Sequence, residues 1–502
     1  MQSFEERVPP SNRPTNHSIC LFTLLCIVWT PKLYAQNEWS NWRGPNYNGS
    51  SDSARPPVIW NSEKNIQWKV ELQGLGSSTP LVWQNQVFIL TALKTERVEN
   101  VPAKLGVQAS REETERRGRP QIRGAIRDEG LGLQEGGNPG KQPPPSERGR
   151  GPERSNGRGG GRMSTPPPQN IYEFKITSYD LQTGNKLWQS TVAEEVPHEG
   201  GHSTNTFASA SPITDGTRIY IFWGSRGVFC LDMQGKKIWN VDLGQQTTRV
   251  GFGEGSSAAL SGNVLIVPWD HEGESFIAAL DTRTGDLKWK TSRDERTTWS
   301  TPLIVSEGER TQVVTNGTRV RSYDLKDGSI LWECGGQTEN PIPTPIVFGD
   351  TVIATTGFRG AACYAIALNS QGDVTNSDSS VRWRYNQNTP YVPSATLYKD
   401  RIYFLAENRA ILTSLNARNG EPIYAAKRLS GLGVIYSSIG AADDRLYITD
   451  RSGITVVLKA GDSPELLSTN ELGEEVDASP VFVGQKLLLR SNKHLFCISE
   501  LN

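Results

Sequence analysis

The feature that most limits what this chain can fold into is a hairpin that recurs along it. Asp180, Thr183-Gly184 and Trp188 return as Asp281, Thr284-Gly285 and Trp289, and again as Asp324, Asp327-Gly328 and Trp332. A copy one residue shorter runs from Asp232 through Gly235 to Trp239, and weaker copies are Asn416, Asn419-Gly420 and Tyr424, and Leu368-Asn369 with Trp383. Alternating apolar residues form one strand, the Asp-to-Gly segment makes a turn that requires positive φ at Gly, and Trp sits on the returning strand. A second hairpin precedes each such unit, as from Ser211-Pro212 through Asp215-Gly216 to Ile219 and Phe222. Four strands per unit, at a period of roughly 40–45 residues, is the pattern of a β-propeller blade.

Openings of first strands number eight: Thr79-Pro80, Ser211-Pro212, Ser256-Ser257, Thr301-Pro302, Thr344-Pro345, Pro393-Ser394, Ser437-Ser438 and Ser479-Pro480. The eighth unit ends at Cys497-Ile498 without an outermost strand, while Asn65 to Val70, ahead of the first opening, carries an orphan strand with Trp68. Pairing the two closes the ring and leaves no long open edge. The expectation is an all-β, eight-bladed β-propeller over residues 65–502, closed by an N-terminal strand, with residues 36–64 as an extension ahead of it. One segment departs from the pattern. Residues 94–170 contain no aromatic side chain and carry fifteen basic against ten acidic groups. This Arg/Gly/Pro-rich stretch is read as a disordered insertion in blade 1, since it has too little apolar surface to fold alone.

Composition narrows the function classes. A net charge of −1 over 502 residues gives no basis for nucleic-acid binding. Ser18 to Thr30 is an apolar run of signal-peptide length, too short to span a bilayer, with small-residue cleavage after Ala35. Residues 1–35 are therefore read as an export signal, no other stretch is read as crossing a membrane, and a periplasmic or secreted monomer is expected. Cys230, Cys334, Cys363 and Cys497 are far apart in sequence and form no CxxC pair, which fits buried thiols better than metal or redox chemistry.

The Asp…Thr-Gly…Trp hairpins, over about residues 65–94 and 171–502, resemble the repeats of pyrroloquinoline-quinone (PQQ) type propellers, the quinoprotein alcohol-dehydrogenase-like superfamily. Asn41-Trp42-Arg43-Gly44-Pro45-Asn46 resembles the opening of exported PQQ-like repeat proteins common in planctomycetes. The resemblance implies either a non-enzymatic binding propeller of the outer-membrane-protein assembly-factor (BamB) type or a PQQ-dependent dehydrogenase. The dehydrogenases resemble one another in a disulfide between neighbouring cysteines, which this chain cannot make, so the binding module is the favoured reading. A PQQ- or metal-dependent oxidoreductase is the alternative.

In a propeller, the loops entering inner strands and those joining second to third strands crowd one mouth. Three of the five His fall in such loops: His198, His202 and His271. Imidazole with carboxylate suits a divalent ion, which makes His198, His202, Asp270, His271 and Glu272 the candidate metal ligands. Arg249 as an anion-binding group, with Trp269 and Trp299 as apolar walls, forms a candidate cofactor or ligand pocket. His198-Glu199 to His202 matches the zinc-protease spacing, but Pro197, Gly200 and Gly201 oppose the helix that pattern needs. No cofactor is assured; PQQ and a divalent metal are the possibilities. The expected partner is a protein or small molecule at the mouth.

Overall fold

A computed structural model describes residues 38–98 and 164–500, and eight antiparallel sheets follow one another around a ring. From inner to outer strand, blade 1 runs from Leu81–Trp83 to Lys186–Glu195, blade 2 from Ile213–Thr214 to Lys237–Val241, and blade 3 from Ala259–Ser261 to Leu287–Ser292. Blade 4 runs from Leu303–Glu307 to Ile330–Cys334, blade 5 from Ile346–Phe348 to Val381–Tyr385, and blade 6 from Thr396–Tyr398 to Pro422–Arg428. Blade 7 runs from Gly440–Ala442 to Glu465–Glu471. Blade 8 starts at Val481–Val483 and ends on Ile66–Glu71, which pairs antiparallel with His494–Ile498 and sets Trp68 opposite Cys497. The ring is thus closed by the strand that the sequence leaves orphaned. Apolar clusters fill the spaces between successive blades, so the core is distributed around the ring.

The repeat's Trp and Gly act between blades. Each outer-strand indole donates its Nε1–H to a turn carbonyl of the next blade: Trp68 to Leu181 (3.0 Å), Trp188 to Met233 (3.1 Å), Trp239 to Thr282 (3.1 Å), Trp289 to Leu325 (2.9 Å) and Trp383 to Ala417 (3.1 Å). The turn glycine lies flat against the same indole. Gly285 has φ +81°, and a Cβ there would sit 2.9 Å from the Trp239 ring. Only glycine accepts both that dihedral and that approach.

The junction from blade 4 to blade 5 breaks this rule. Leu368 there occupies the position of Leu181 and Leu325, its N–H bonded to Asp350 O as theirs are to Asn85 O and Thr311 O. The repeat is therefore shifted by two from the Leu368-Asn369 alignment of the sequence, with Ala367 at the position of Asp180. Trp332 does not reach this turn. Its Nε1–H donates to Gln312 Oε1 (3.1 Å), and Gln312 Nε2 donates on to Leu368 O (3.1 Å). Gly372–Asp373 then adds a fifth strand, parallel, to the outer edge of blade 4.

A second belt circles the channel. At the head of each inner strand stands Thr79, Ser211, Ser257, Thr301, Thr344, Ser394, Ser438 or Ser479. The N–H of Thr79 donates to Ser211 Oγ (2.9 Å), that of Ser211 to Ser257 Oγ (2.9 Å), and that of Ser257 to Thr301 Oγ1 (3.2 Å). Beyond a break, Thr344 donates to Ser394 (3.0 Å), Ser394 to Ser438 (3.0 Å) and Ser438 to Ser479 (3.1 Å).

Two expectations are corrected. The departure expected at residue 94 comes later, because the strand runs to Val98 and its partner begins at Asn170. Ion pairs from Arg97 to Glu173 (3.1 Å) and Glu194 (2.8 Å) sustain the pairing where apolar alternation has ended. The expected disorder of the insertion, in its stretch 99–163, and the export signal at 1–35 lie outside the described residues. The segment expected ahead of the ring instead enters it. Glu38–Trp39 pairs with the inner strand of blade 1 and Ser50–Ser51 with that of blade 7, while Trp39 packs edge-on against Phe482 of blade 8. Arg43 lies fully buried between them, donating through Nη2 to Asn48 O (2.8 Å), Ala395 O (2.5 Å) and Thr396 Oγ1 (3.2 Å). With no carboxylate beside it, burial lowers its pKa to about 9. The segment thus lies against the inner strands of blades 1, 2, 6 and 7.

Candidate functional site

A cavity of about 390 Å³ lies at the mouth where the inner strands begin. Trp42, carried in by the N-terminal segment, is on its lining. Seven of the eight belt hydroxyls line it, and Phe252, Trp299, Phe358, Tyr391 and Tyr436 supply aromatic walls. The indole of Trp299 is held by its Nε1–H donating to Gly253 O (2.7 Å), and Phe358 packs on Tyr391 at 5.0 Å.

One wall is ionic. Arg451 grips Asp477 with Nε at 2.7 Å and Nη2 at 3.2 Å, bonds Glu475, and lies over the Tyr436 ring at 4.7 Å. Burial pushes the Asp477 carboxyl above its usual range, against the pull of Arg451. Across the opening, His202 Nδ1 meets Thr204 Oγ1 at 2.8 Å, and burial together with the positive Arg451 holds its imidazole below the usual histidine value.

His198, His202, Asp270 and Trp299 share a smaller adjoining cavity of about 120 Å³, so the loops do converge as expected. Their polar atoms are committed elsewhere. His198 Nε2 bonds Gln246 O (2.7 Å). Asp270, buried, receives the Arg293 fork (2.7 and 3.0 Å) and the Thr298 hydroxyl (2.8 Å). Burial alone would lower the Arg293 guanidinium, but Asp270 and Tyr323 hold it well above the usual arginine value. His271 Nδ1 accepts the N–H of Thr247 (3.1 Å) and Gly273 (3.2 Å), and Glu272 accepts the Thr297 hydroxyl (2.9 Å). Among the described residues, no three His, Cys, Asp or Glu side chains are placed to hold one metal ion. The five candidate ligands are therefore not gathered into one shell. Residues 198–202 are not helical, which removes the geometry a zinc-protease pattern requires.

Of the expected pocket residues, Trp299 lines the mouth cavity. Trp269 does not: only 2% exposed, it stacks on Phe276 at 5.6 Å inside blade 3. Arg249 sits on the rim, its guanidinium bonded to Glu339 (2.9 Å). The sequence reading missed Tyr436, Arg451 and Asp477, which lie in blade 7 and in the approach to blade 8. It noted Trp42 only as part of a motif.

A bound PQQ would be a planar polyanion, and the cavity does not suit it. Among the described residues, Asp477 is the only Asp, Glu, Lys or Arg on its lining, and the nearby Arg249 and Arg451 are each neutralised by a carboxylate. The four described cysteines are buried thiols away from the cavity, with burial pushing Cys230 and Cys497 up to about 12.

Ring, belt and mouth define a PQQ-like β-propeller protein. The family model described as outer membrane protein assembly factor BamB matches residues 172–250 and 225–431, together just over half the chain. The chain belongs to this family. Among solved structures, BamB from Moraxella catarrhalis is 15% identical, covering 68% of this chain and 94% of its own, at TM-score 0.46. The quinohemoprotein alcohol dehydrogenase of Comamonas testosteroni is 9% identical over 93% of this chain and 81% of its own, at TM-score 0.57. A europium-containing methanol dehydrogenase is also 9% identical, over 92% and 98%, at TM-score 0.58. The likenesses to the two dehydrogenases establish the fold. No curated protein matches the chain.

Proposed function

We propose that this chain is a non-enzymatic binding module of the cell envelope, exported and monomeric, with its ligand or partner group held in the mouth cavity. The observation that carries the reading is the cavity itself: aromatic-walled and ringed by hydroxyls, while the titratable side chains around it are engaged with protein groups. Its size falls within the range of roughly 300–1,000 Å³ usual for ligand pockets. Export is supported by the Ser18 to Thr30 apolar run, and an envelope location by the outer-membrane description of the matched family. The test is to incubate purified protein with PQQ and calcium, record the quinone absorbance, and assay dye reduction with alcohols and sugars. A binding module gives no retained quinone and no turnover. Stoichiometric quinone with turnover would replace this reading by the oxidoreductase.

A further inference from the structure

We propose that the mouth cavity is a saccharide site, an inference that rests on the cavity being the functional site. Its carrier is the unfinished hydrogen bonding of the inner belt. The hydroxyl oxygens of Ser211, Ser257, Thr301, Ser394, Ser438 and Ser479 each accept a neighbouring blade's N–H. Each hydroxyl still carries its own proton, and among the described residues none of the six protons has an acceptor. All six residues are less than a tenth exposed and line the cavity. A ring of O–H donors therefore faces the channel axis, and buried donors demand acceptors.

The charge pattern says which acceptors. An anion would need a cation, yet among the described residues Asp477 is the only Asp, Glu, Lys or Arg on the lining, and its partner Arg451 also bonds Glu475. Burial and the positive Arg451 hold the His202 imidazole below its usual value, which disfavours its cationic form. The acceptors are thus neutral oxygens. They must also belong to a body with apolar faces, because Trp42, Trp299 and Tyr436 line the cavity. A pyranose meets both demands: its C–H face stacks on an indole while its equatorial oxygens accept from the belt.

The test is calorimetric titration of the protein with glucose, N-acetylglucosamine, maltose and cellobiose up to about 10 mM, with sodium sulfate and trialanine as controls. At least one saccharide should bind wild type. Trp42→Ala should weaken it at least roughly tenfold. Thr79→Val keeps the shape of a cavity-lining hydroxyl that accepts no belt N–H, and should weaken binding roughly fivefold at unchanged melting temperature. Sulfate or trialanine binding in place of sugars, and lost in Trp42→Ala, keeps the mouth as the site and overturns the saccharide. Saccharide binding that neither variant changes places the ligand elsewhere and overturns both readings. Silence to every sugar overturns the saccharide proposal, while the dye-reduction assay decides the binding-module reading separately.

Discussion

The outer and inner belts of this ring are built from the same eightfold repeat, yet they finish their hydrogen bonds differently. On the outside, five indoles donate to a carbonyl of the following blade and lie on its turn. A sixth reaches its carbonyl through Gln312. Each of these six indole N–H groups has its acceptor, and the contact is a lock. On the inside, six hydroxyls accept a backbone N–H and keep a proton facing the cavity. Satisfied donors hold blades together; unsatisfied donors around a cavity are where a ligand can add binding energy.

The largest effect should come from the lock's exception. Gln312 is fully buried, and Gln312→Ala strands the Trp332 indole N–H, the Ser322 hydroxyl and Leu368 O while leaving a void. A loss of about 3–5 kcal/mol in denaturant unfolding is expected, with ligand binding intact in the folded fraction. Gly285→Val follows, at about 2–4 kcal/mol, since it combines a positive φ with a clash on Trp239. Ser438→Ala orphans only the Ser394 N–H and should cost about 1–2 kcal/mol. If it proved as costly as Gln312→Ala, the belts would not differ in kind.

The smallest effect is one of pH. The His202 imidazole titrates below its ordinary value of 6.5 in the folded chain, held down by burial and Arg451. Its contribution to stability is therefore complete above pH 6.5 and is lost as pH falls through the lower, folded value. His202→Asn should flatten that acid limb in melting temperature measured from pH 7 to pH 5. An unchanged limb would place the titration elsewhere.

The ring was legible in the sequence because its locks are local: an Asp-to-Gly turn with Trp eight positions after the Asp names a blade without reference to the rest. The same locality misplaced blade 5 by two residues, since Asn369 imitates the turn's Asp while Ala367 holds the position. The place of the N-terminal segment was not legible, because Trp39 and Arg43 are specified only by inner strands more than forty and three hundred residues away. For the site, His198, His202, Asp270 and Trp299, picked by loop position, line one cavity. Composition could not show that Asp270 is already claimed by Arg293, or that Trp269 stacks inward on Phe276. Ser/Thr openings marked inner strands correctly; their free protons became apparent only once the neighbouring N–H groups were placed.

The most direct measurement sets one substitution in each belt side by side: melting temperature and saccharide Kd for Trp289→Phe and Thr79→Val. The account predicts crossed effects. Trp289→Phe loses the bond to Leu325 O, about 1 kcal/mol of stability, and binds sugar as wild type does; Thr79→Val melts as wild type does and binds roughly fivefold more weakly. Parallel effects, with stability and affinity moving together in both variants, would contradict it.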